Sequence, residues 1–412
     1  MGRLSRDCFD AAPAPMRVAD AVALLRARLP VLSGIETVPL ERADGRILAQ
    51  DLIAPVDLPP FDNAAVDGYA LGAGDLPRAG ETLLPLGGRV PAGHAPADPG
   101  PGYAVRIFTG APMPPGTDTV AMQEDVRVAG DAVVVPAGLA RGANRRRAGE
   151  DVARGSLAIR AGTRLGPRHL ALAAALGLPD LRLRTPLRVA LFSTGDELTA
   201  PGCPLPPAGI YDANRPMLAA LLRRLGAEPA DLGILRDAPG PLRQRLEAAA
   251  AEHDLILTSG GVSVGEEDHV RAAVEASGAL TFWRLAIKPG RPVALGDVAG
   301  TPFAGLPGNP AAAYVTALAV LYPLVLHLSG ARDAMPALTV RSGFAREKRA
   351  GRREYLPVCL RAGADGVPEA VPAPAGAMSG LSASDGLAEL AEDLGAIRVG
   401  DALPYRPHGD LS

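Results

Sequence analysis

Between Leu187 and Leu328, apolar runs of strand length alternate with amphipathic helical stretches, and no other feature constrains the fold as much. LRVALF, ADLGIL, DLILTS and FWRLAI have strand character, while RPMLAALLRRLG, PLRQRLEAAAAE and HVRAAVEA space their apolar residues as helices do. That order predicts a parallel sheet with helices on both faces. The helix after Asn214 is well bounded: Pro216 stands in its first turn, Leu218, Leu221, Leu222 and Leu225 form one stripe, and Gly226 stops it.

The rest of the 412 residues exceeds what one core holds, so further domains are expected. Residues 17–30 repeat Val18, Val22, Leu25 and Leu29 on one helical face. From Val38 to Val135 short apolar runs broken by Pro and Gly predict a small β-rich domain, closed by a linker-like RGANRRRAGEDVARG. RHLALAAALGL reads as a helix ended by Gly177. After Gly330 the strands ALTVRS and REYLPVCL belong to a separate small β domain.

A net charge of -3 with 21% charged residues argues against non-specific nucleic-acid binding. Cys8, Cys203 and Cys359 are odd in number and widely spaced, which excludes a CxxC zinc site and favours a reducing, cytoplasmic setting. No signal-peptide core is visible at the N-terminus. Ala311 to Leu328 is apolar enough to raise the question of a membrane span. Asn309-Pro310 marks it instead as a capped helix with proline in its first turn, a buried core helix of a protein with no membrane role.

Three loops follow predicted strands, where ligands of open parallel sheets bind. They are Ser193-Thr194-Gly195-Asp196-Glu197-Leu198, then the run from Ser259, Gly260 and Gly261 through Ser263 to Asp268, and Gly305-Leu306-Pro307-Gly308-Asn309-Pro310. Glycines let backbone N–H groups approach a phosphate, and the hydroxyls of Ser259 and Ser263 add donors. The third loop opens a helix whose N-terminus favours an anion. Phosphates beside Asp196, Glu197, Glu266, Glu267 and Asp268 would be repelled without a cation between them, which implies Mg²⁺ and a phosphorylated ligand. Arg284, Lys288 and Arg291 in FWRLAIKPGRP supply positive charge nearby. Six histidines occur singly, so no His-based zinc centre is supported. Taken alone, Asp67 in Asp67-Gly68-Tyr69 reads as a hairpin turn residue.

The segments PPFDNAAVDGYA, RIFTGAPMPPGTDTV, NRRRAGEDV, FSTGDEL, SGGVSVGEED, AIKPGRP and GLPGNP, in this order over roughly residues 17–355, resemble the molybdopterin molybdenumtransferases. These are the bacterial MoeA proteins and the related E domain of gephyrin. Two places depart from the pattern: NAAVDGYA stands for the family's NSAMDGYA, and Asp385 in GAMSGLSASDGL for an Asn.

The resemblance implies a multidomain α/β plus β fold: a discontinuous linker domain (15–55 and 152–183), a β-rich insertion (56–151), a molybdopterin-binding α/β domain (184–332) and a C-terminal β-barrel (333–412). It implies a homodimer with sites shared between protomers, and Mg²⁺-dependent insertion of molybdate into adenylylated molybdopterin with release of AMP. Asp67, Thr109, Glu197 and Asp268 would be catalytic, the last two holding Mg²⁺. Asp151, Asp237, Arg284, Lys288, Arg352 and Ser379 would join Ser259, Gly260, Gly261, Ser263, Pro307, Gly308, Asn309 and Pro310 in binding substrate. A molybdopterin adenylyltransferase and molybdoenzyme maturation proteins are the expected partners. Two alternatives stay open: that the chain is itself the adenylyltransferase, or a non-catalytic carrier or scaffold. Tungstate could replace molybdate, since the two oxyanions have nearly equal size and charge.

Overall fold

The computed structural model describes residues 15–236, 239–261, 269–332 and 338–409. Helix α1 (Val18–Arg28) buries Val18, Ala21 and Leu25, so Ala21 takes the inner place expected of Val22, which is half-buried. Residues Ile35–Pro39 pair antiparallel with Asp180–Arg184, and Leu52–Ile53 with Leu157–Ile159. The chain therefore leaves and returns side by side, and Val38, Leu48 and Leu52 share a core with Ile159, Leu165 and Leu183. Helix α2 (Pro167–Ala175) lies on this unit, followed by Gly177 in the left-handed conformation at φ 77°.

Between the two passes stands a six-stranded sheet of β1 (Gly68–Leu71), β2 (Glu81–Val90), β3 (Ala104–Ile107), β4 (Thr119–Met122), β5 (Arg127–Ala129) and β6 (Ala132–Pro136), in the order β4-β1-β3-β2-β6-β5. Its strands alternate faces. Ala70, Val105, Ile107 and Val120 fill one side, while Tyr69, Leu71, Ala104 and Ala121 fill the other.

The α/β region comprises β7 (Arg188–Thr194), α3 (Asn214–Arg224), β8 (Glu228–Leu235), α4 (Pro239–Glu252), β9 (Leu255–Ser259), α5 (His269–Ser277), β10 (Gly278–Arg284), β11 (Ile287–Lys288), β12 (Pro292–Val298) and β13 (Thr301–Leu306). Its sheet runs β8-β7-β9-β13-β12-β10. The expected all-parallel sheet is corrected at one strand, because β12 lies antiparallel to both β13 and β10. Only the turn at Ala299-Gly300 joins β12 to β13, and a connection that short makes a hairpin, never a parallel crossover.

Helices cover both faces. On one, Leu218 and Leu222 of α3 and Leu25 of α1 meet the strand residues Val189, Leu191 and Leu257, so α1 joins this core and not that of the neighbouring linker strands. On the other, Leu242 and Leu246 of α4 and Val274 of α5 meet Phe192 and Phe303.

Pro310–Leu328 is the one helix among the described residues long and apolar enough to cross a bilayer, and 72% of its apolar window is buried in the fold. It consists of α6 (Pro310–Thr316), a π-helical stretch Ala317–Leu321, and α7 (Tyr322–Leu328). Pro323 lacks an N–H, and the widened turn before it accommodates that loss.

Beyond it β14 (Leu338–Ser342), β15 (Arg353–Ala362), β16 (Pro368–Pro372), α8 (Ala377–Ser382), β17 (Gly386–Leu390) and β18 (Ala402–Pro407) form a closed five-stranded barrel, β15-β16-β14-β18-β17 and back to β15. The expected single strand FWRLAI is also corrected. It breaks after Arg284, and β11 pairs parallel with β15, Ile287 opposite Arg353 and Lys288 opposite Glu354.

Candidate functional site

The carboxyl ends of β7, β9 and β13 lie side by side, with Ser193 opposite Ser259 and Ser259 opposite Leu306. Gly260 continues β9 at φ 88°, where an added Cβ would lie 2.4 Å from the Thr194 carbonyl oxygen, so no other residue fits. Its N–H donates to the Leu306 carbonyl at 3.1 Å, drawing the second loop onto the third. At the start of α6, Asn309 Oδ1 accepts from the Ala312 N–H at 3.1 Å, and Pro310 occupies the first turn. Helix and loop are thus anchored as their sequence suggests.

Ser259 is used differently from what its hydroxyl suggested. It is 1% exposed, accepts from Asn214 Nδ2 at 2.7 Å and donates to the Pro307 carbonyl at 3.2 Å, so it ties loops together and offers no free donor to a ligand. Asn214 Nδ2 donates at 2.7 Å to the Gly308 carbonyl as well. Along the chain Asn214 looks only like a helix start; its burial and its reach to two loops exist only in the fold.

Four of the six buried side-chain polar atoms without a partner among the described residues cluster here: Ser193 Oγ, Thr194 Oγ1, Asn214 Oδ1 and Thr258 Oγ1. Buried oxygens without a partner are costly in a finished core, so packing among the described residues does not by itself account for these. Glu197 is exposed beside this cleft. Asp237, Ser263 and Asp268 lie outside the described residues, as do Glu266 and Glu267.

Lys288 and Arg352 meet at the joint with the barrel. Glu354, 4% exposed, receives Lys288 Nζ at 3.6 Å, Arg346 Nη2 at 3.2 Å and Arg352 Nε at 3.2 Å. Glu354 is thus shared by three cations. Gly290 at φ 101° lets the KPG turn press onto α6, where a Cβ would stand 2.3 Å from Thr316 Oγ1. Arg284 is exposed at the end of β10. Ser379 is exposed on α8, which packs against α6.

On the insertion, Asp67 Oδ1 accepts from both the N–H and the hydroxyl of Thr109, each at 2.8 Å. These two bonds, with the positive charge of Arg106, hold the Asp67 carboxyl below its usual range and keep it ionised. Arg106 itself is fixed over the rings of Tyr69 and Phe108 at 5.1 and 4.7 Å. Asp151 is exposed where the insertion rejoins the linker strands, its N–H donating to the Leu58 carbonyl. Among the described residues, no strand of the insertion sheet packs extensively against the α/β sheet.

A doubly covered α/β sheet with glycine loops at its strand ends, joined to a β insertion and a closed barrel, defines a multidomain α/β protein with a strand-end cleft suited to anions. Three family descriptions match in order: "MoeA N-terminal region (domain I and II)" over residues 16–177, "Probable molybdopterin binding domain" over 190–327 and "MoeA C-terminal region (domain IV)" over 339–407. The chain belongs to the molybdopterin molybdenumtransferase (MoeA) family. It is 41% identical over 308 residues to the Molybdopterin molybdenumtransferase of Haemophilus influenzae, covering 74% of this chain and 76% of the relative. Molybdopterin molybdenumtransferase 2 of Mycobacterium tuberculosis is 35% identical over 378 residues, 89% of this chain and 93% of its own. A solved molybdopterin biosynthesis moeA protein from Pyrococcus horikoshii superimposes with a TM-score of 0.83 at 29% identity, covering 96% of this chain and all of that one.

Proposed function

We propose that this chain is a molybdopterin molybdenumtransferase: it places molybdate on adenylylated molybdopterin and releases AMP, as a Mg²⁺-dependent, cytoplasmic homodimer. The observation that carries the reading is the juncture of two glycine loops at the ends of β9 and β13, tied together through Asn214 and Ser259, in a chain of this family.

In the step, water attacks the pterin-side phosphorus of the pyrophosphate link, the bridging P–O bond breaks, and AMP leaves with the bond's electron pair while the water's protons pass to solvent. The two dithiolene sulfurs bond to molybdenum as their two thiol protons leave with one molybdate oxygen as water. Backbone N–H groups of the glycine loops and the N-terminus of the Pro310–Leu328 helix would hold phosphate oxygens. Lys288, Arg346 and Arg352, more than Glu354 alone can neutralise, would attract the oxyanion or pyrophosphate. The dithiolene of the substrate supplies sulfur to molybdenum, so the chain needs no cysteine cluster; Cys203 and Cys359 are both free.

No group of three His, Cys, Asp or Glu side chains able to hold a metal occurs among the described residues. An exposed Glu197 suits an ion that binds through one or two carboxylates and keeps water or phosphate oxygens for the rest, as Mg²⁺ does. Glu197 and Asp268 would hold it, and it would offset charge building on the phosphate oxygens. Asp67 and Thr109 would reach the cleft from the partner protomer.

Incubating the purified protein with adenylylated molybdopterin, Mg²⁺ and molybdate tests the reading. AMP appearing together with metal-loaded cofactor supports it. Consumption of ATP with unadenylylated molybdopterin would point to an adenylyltransferase instead, and neither product would leave a carrier.

A further inference from the structure

We infer that Asn214 is a positioning residue that sets the separation of the two phosphate-cradling loops; the substrate named in this role rests on the function proposed above. Both hydrogens of its Nδ2 are spent across the gap, on Ser259 Oγ and on the Gly308 carbonyl, each at 2.7 Å. Ser259 extends the link to the Pro307 carbonyl, so one side chain from α3 gathers the β9 loop and the loop before α6. The loops touch closely at that point, since a Cβ on Gly308 would come within 3.7 Å of Gly260 Cα.

Helix formation does not account for Asn214. The start of α3 is secured by Asp212, whose Oδ1 accepts from the Arg215 N–H at 3.2 Å while its Oδ2 pairs with the Arg215 guanidinium at 3.0 Å. Packing does not account for it either. Asn214 is 6% exposed and leaves Oδ1 buried with no donor among the described residues, an arrangement that an apolar side chain of similar size would avoid. What an apolar side chain could not do is donate to two loops at once. Cradles for phosphate depend on N–H groups held within a few tenths of an ångström, so a fixed loop spacing bears directly on affinity.

Three measurements on the full-length protein decide the matter. In the ligand-free protein, Asn214→Ala should speed hydrogen exchange of the Gly260 amide, which bonds across the same gap to Leu306, by about tenfold. The same variant should raise KM for adenylylated molybdopterin about tenfold with little change in melting temperature. Asn214→Asp places a charged acceptor against the Gly308 carbonyl and should exchange faster still at neutral pH. It should slow towards the wild-type rate as pH falls and the new carboxyl gains an O–H donor, a recovery that the alanine variant lacks. Unchanged exchange in Asn214→Ala overturns the positioning role whatever the substrate. Faster exchange with an unchanged KM and a large drop in melting temperature overturns it too, leaving a structural tie. Failure of the wild-type protein to turn over adenylylated molybdopterin would count against the proposed function alone, because the exchange comparison needs no ligand.

Discussion

Lys288 and Glu354 stand opposite each other as parallel register partners, with Nζ 3.6 Å from a carboxylate that is almost wholly buried. The pair joins the α/β region to the barrel, and its members have unequal parts in stability. Lys288's side chain is 46% exposed, so its pair with Glu354 is worth at most about 1 kcal/mol. Lys288→Ala should therefore melt close to wild type but require a higher molybdate or pterin concentration for half-maximal rate. Glu354→Ala leaves Lys288, Arg346 and Arg352 crowded without their shared counter-charge and should destabilise by about 3 kcal/mol. Thermal unfolding beside steady-state kinetics separates the two; equal losses of stability would make Lys288 a purely structural partner.

The carboxyl of Asp67 is kept ionised by Thr109, and this sets a pH dependence with a definite sign. A folded-state pKa below the ordinary 3.8 gives a stabilising contribution that is complete above that value and is lost as pH falls through the lowered one. Thr109→Val removes the hydroxyl bond and keeps the N–H bond, so the Asp67 pKa should rise part of the way back. A carbon-detected NMR titration of the two proteins measures the change. An Asp67 pKa unmoved in the variant would mean that the N–H bond and Arg106 do all the holding.

Glu197→Gln should abolish Mg²⁺-dependent AMP release while changing stability by no more than about 0.5 kcal/mol, since the side chain is exposed in a loop. Asp268→Asn should behave alike if the two share the ion. Wild-type turnover by both variants, assayed over a Mg²⁺ titration, would remove the metal role assigned to them.

Among the described residues the insertion sheet does not pack extensively on the α/β sheet, and a site shared between protomers predicts complementation. In the proposed homodimer, mixed Asp67→Asn and Glu197→Gln chains would form heterodimers with one of two sites intact, giving about a quarter of wild-type activity after random exchange. Verified subunit exchange without recovered activity would argue for a site complete in each chain.

The barrel is also tied to α6 through Tyr314, whose hydroxyl is 2.7 Å from His408 Nδ1, while His408 Nε2 is 2.8 Å from Ser384 Oγ. Burial lowers the His408 pKa below 6.5, against the opposing pull of Asp385, and raises that of Tyr314 to about 12. A depressed histidine stabilises the fold above its unfolded pKa and loses that contribution as pH falls through the folded value. Melting temperatures of wild type and His408→Gln should thus converge as pH is lowered below 6.5. A constant gap across that range would show that His408 does not titrate in this way.

The order of strands and helices, the start of α3 with its leucine stripe, and the Asn309-Pro310 cap were legible along the chain because each follows from local periodicity and capping chemistry. So was the placing of glycine loops after strands, in the second loop as far as Gly261. Local patterns cannot state which way a strand runs beside its neighbour, and the reversal of β12 emerged only from the hairpin that pairs it with β13. Nor can they see a partner far along the chain. Ser259 looked like a free phosphate donor until Asn214 and Pro307 closed around it, and Lys288 looked like a free cation until Glu354, distant in sequence, was folded beneath it. Hydroxyls and ammonium groups have the same chemistry in any sequence, but whether they face a ligand or one another depends on burial and on distance across the fold. Local chemistry along the chain dictates the elements and the stock of reactive groups; packing of those elements selects which groups remain for a substrate.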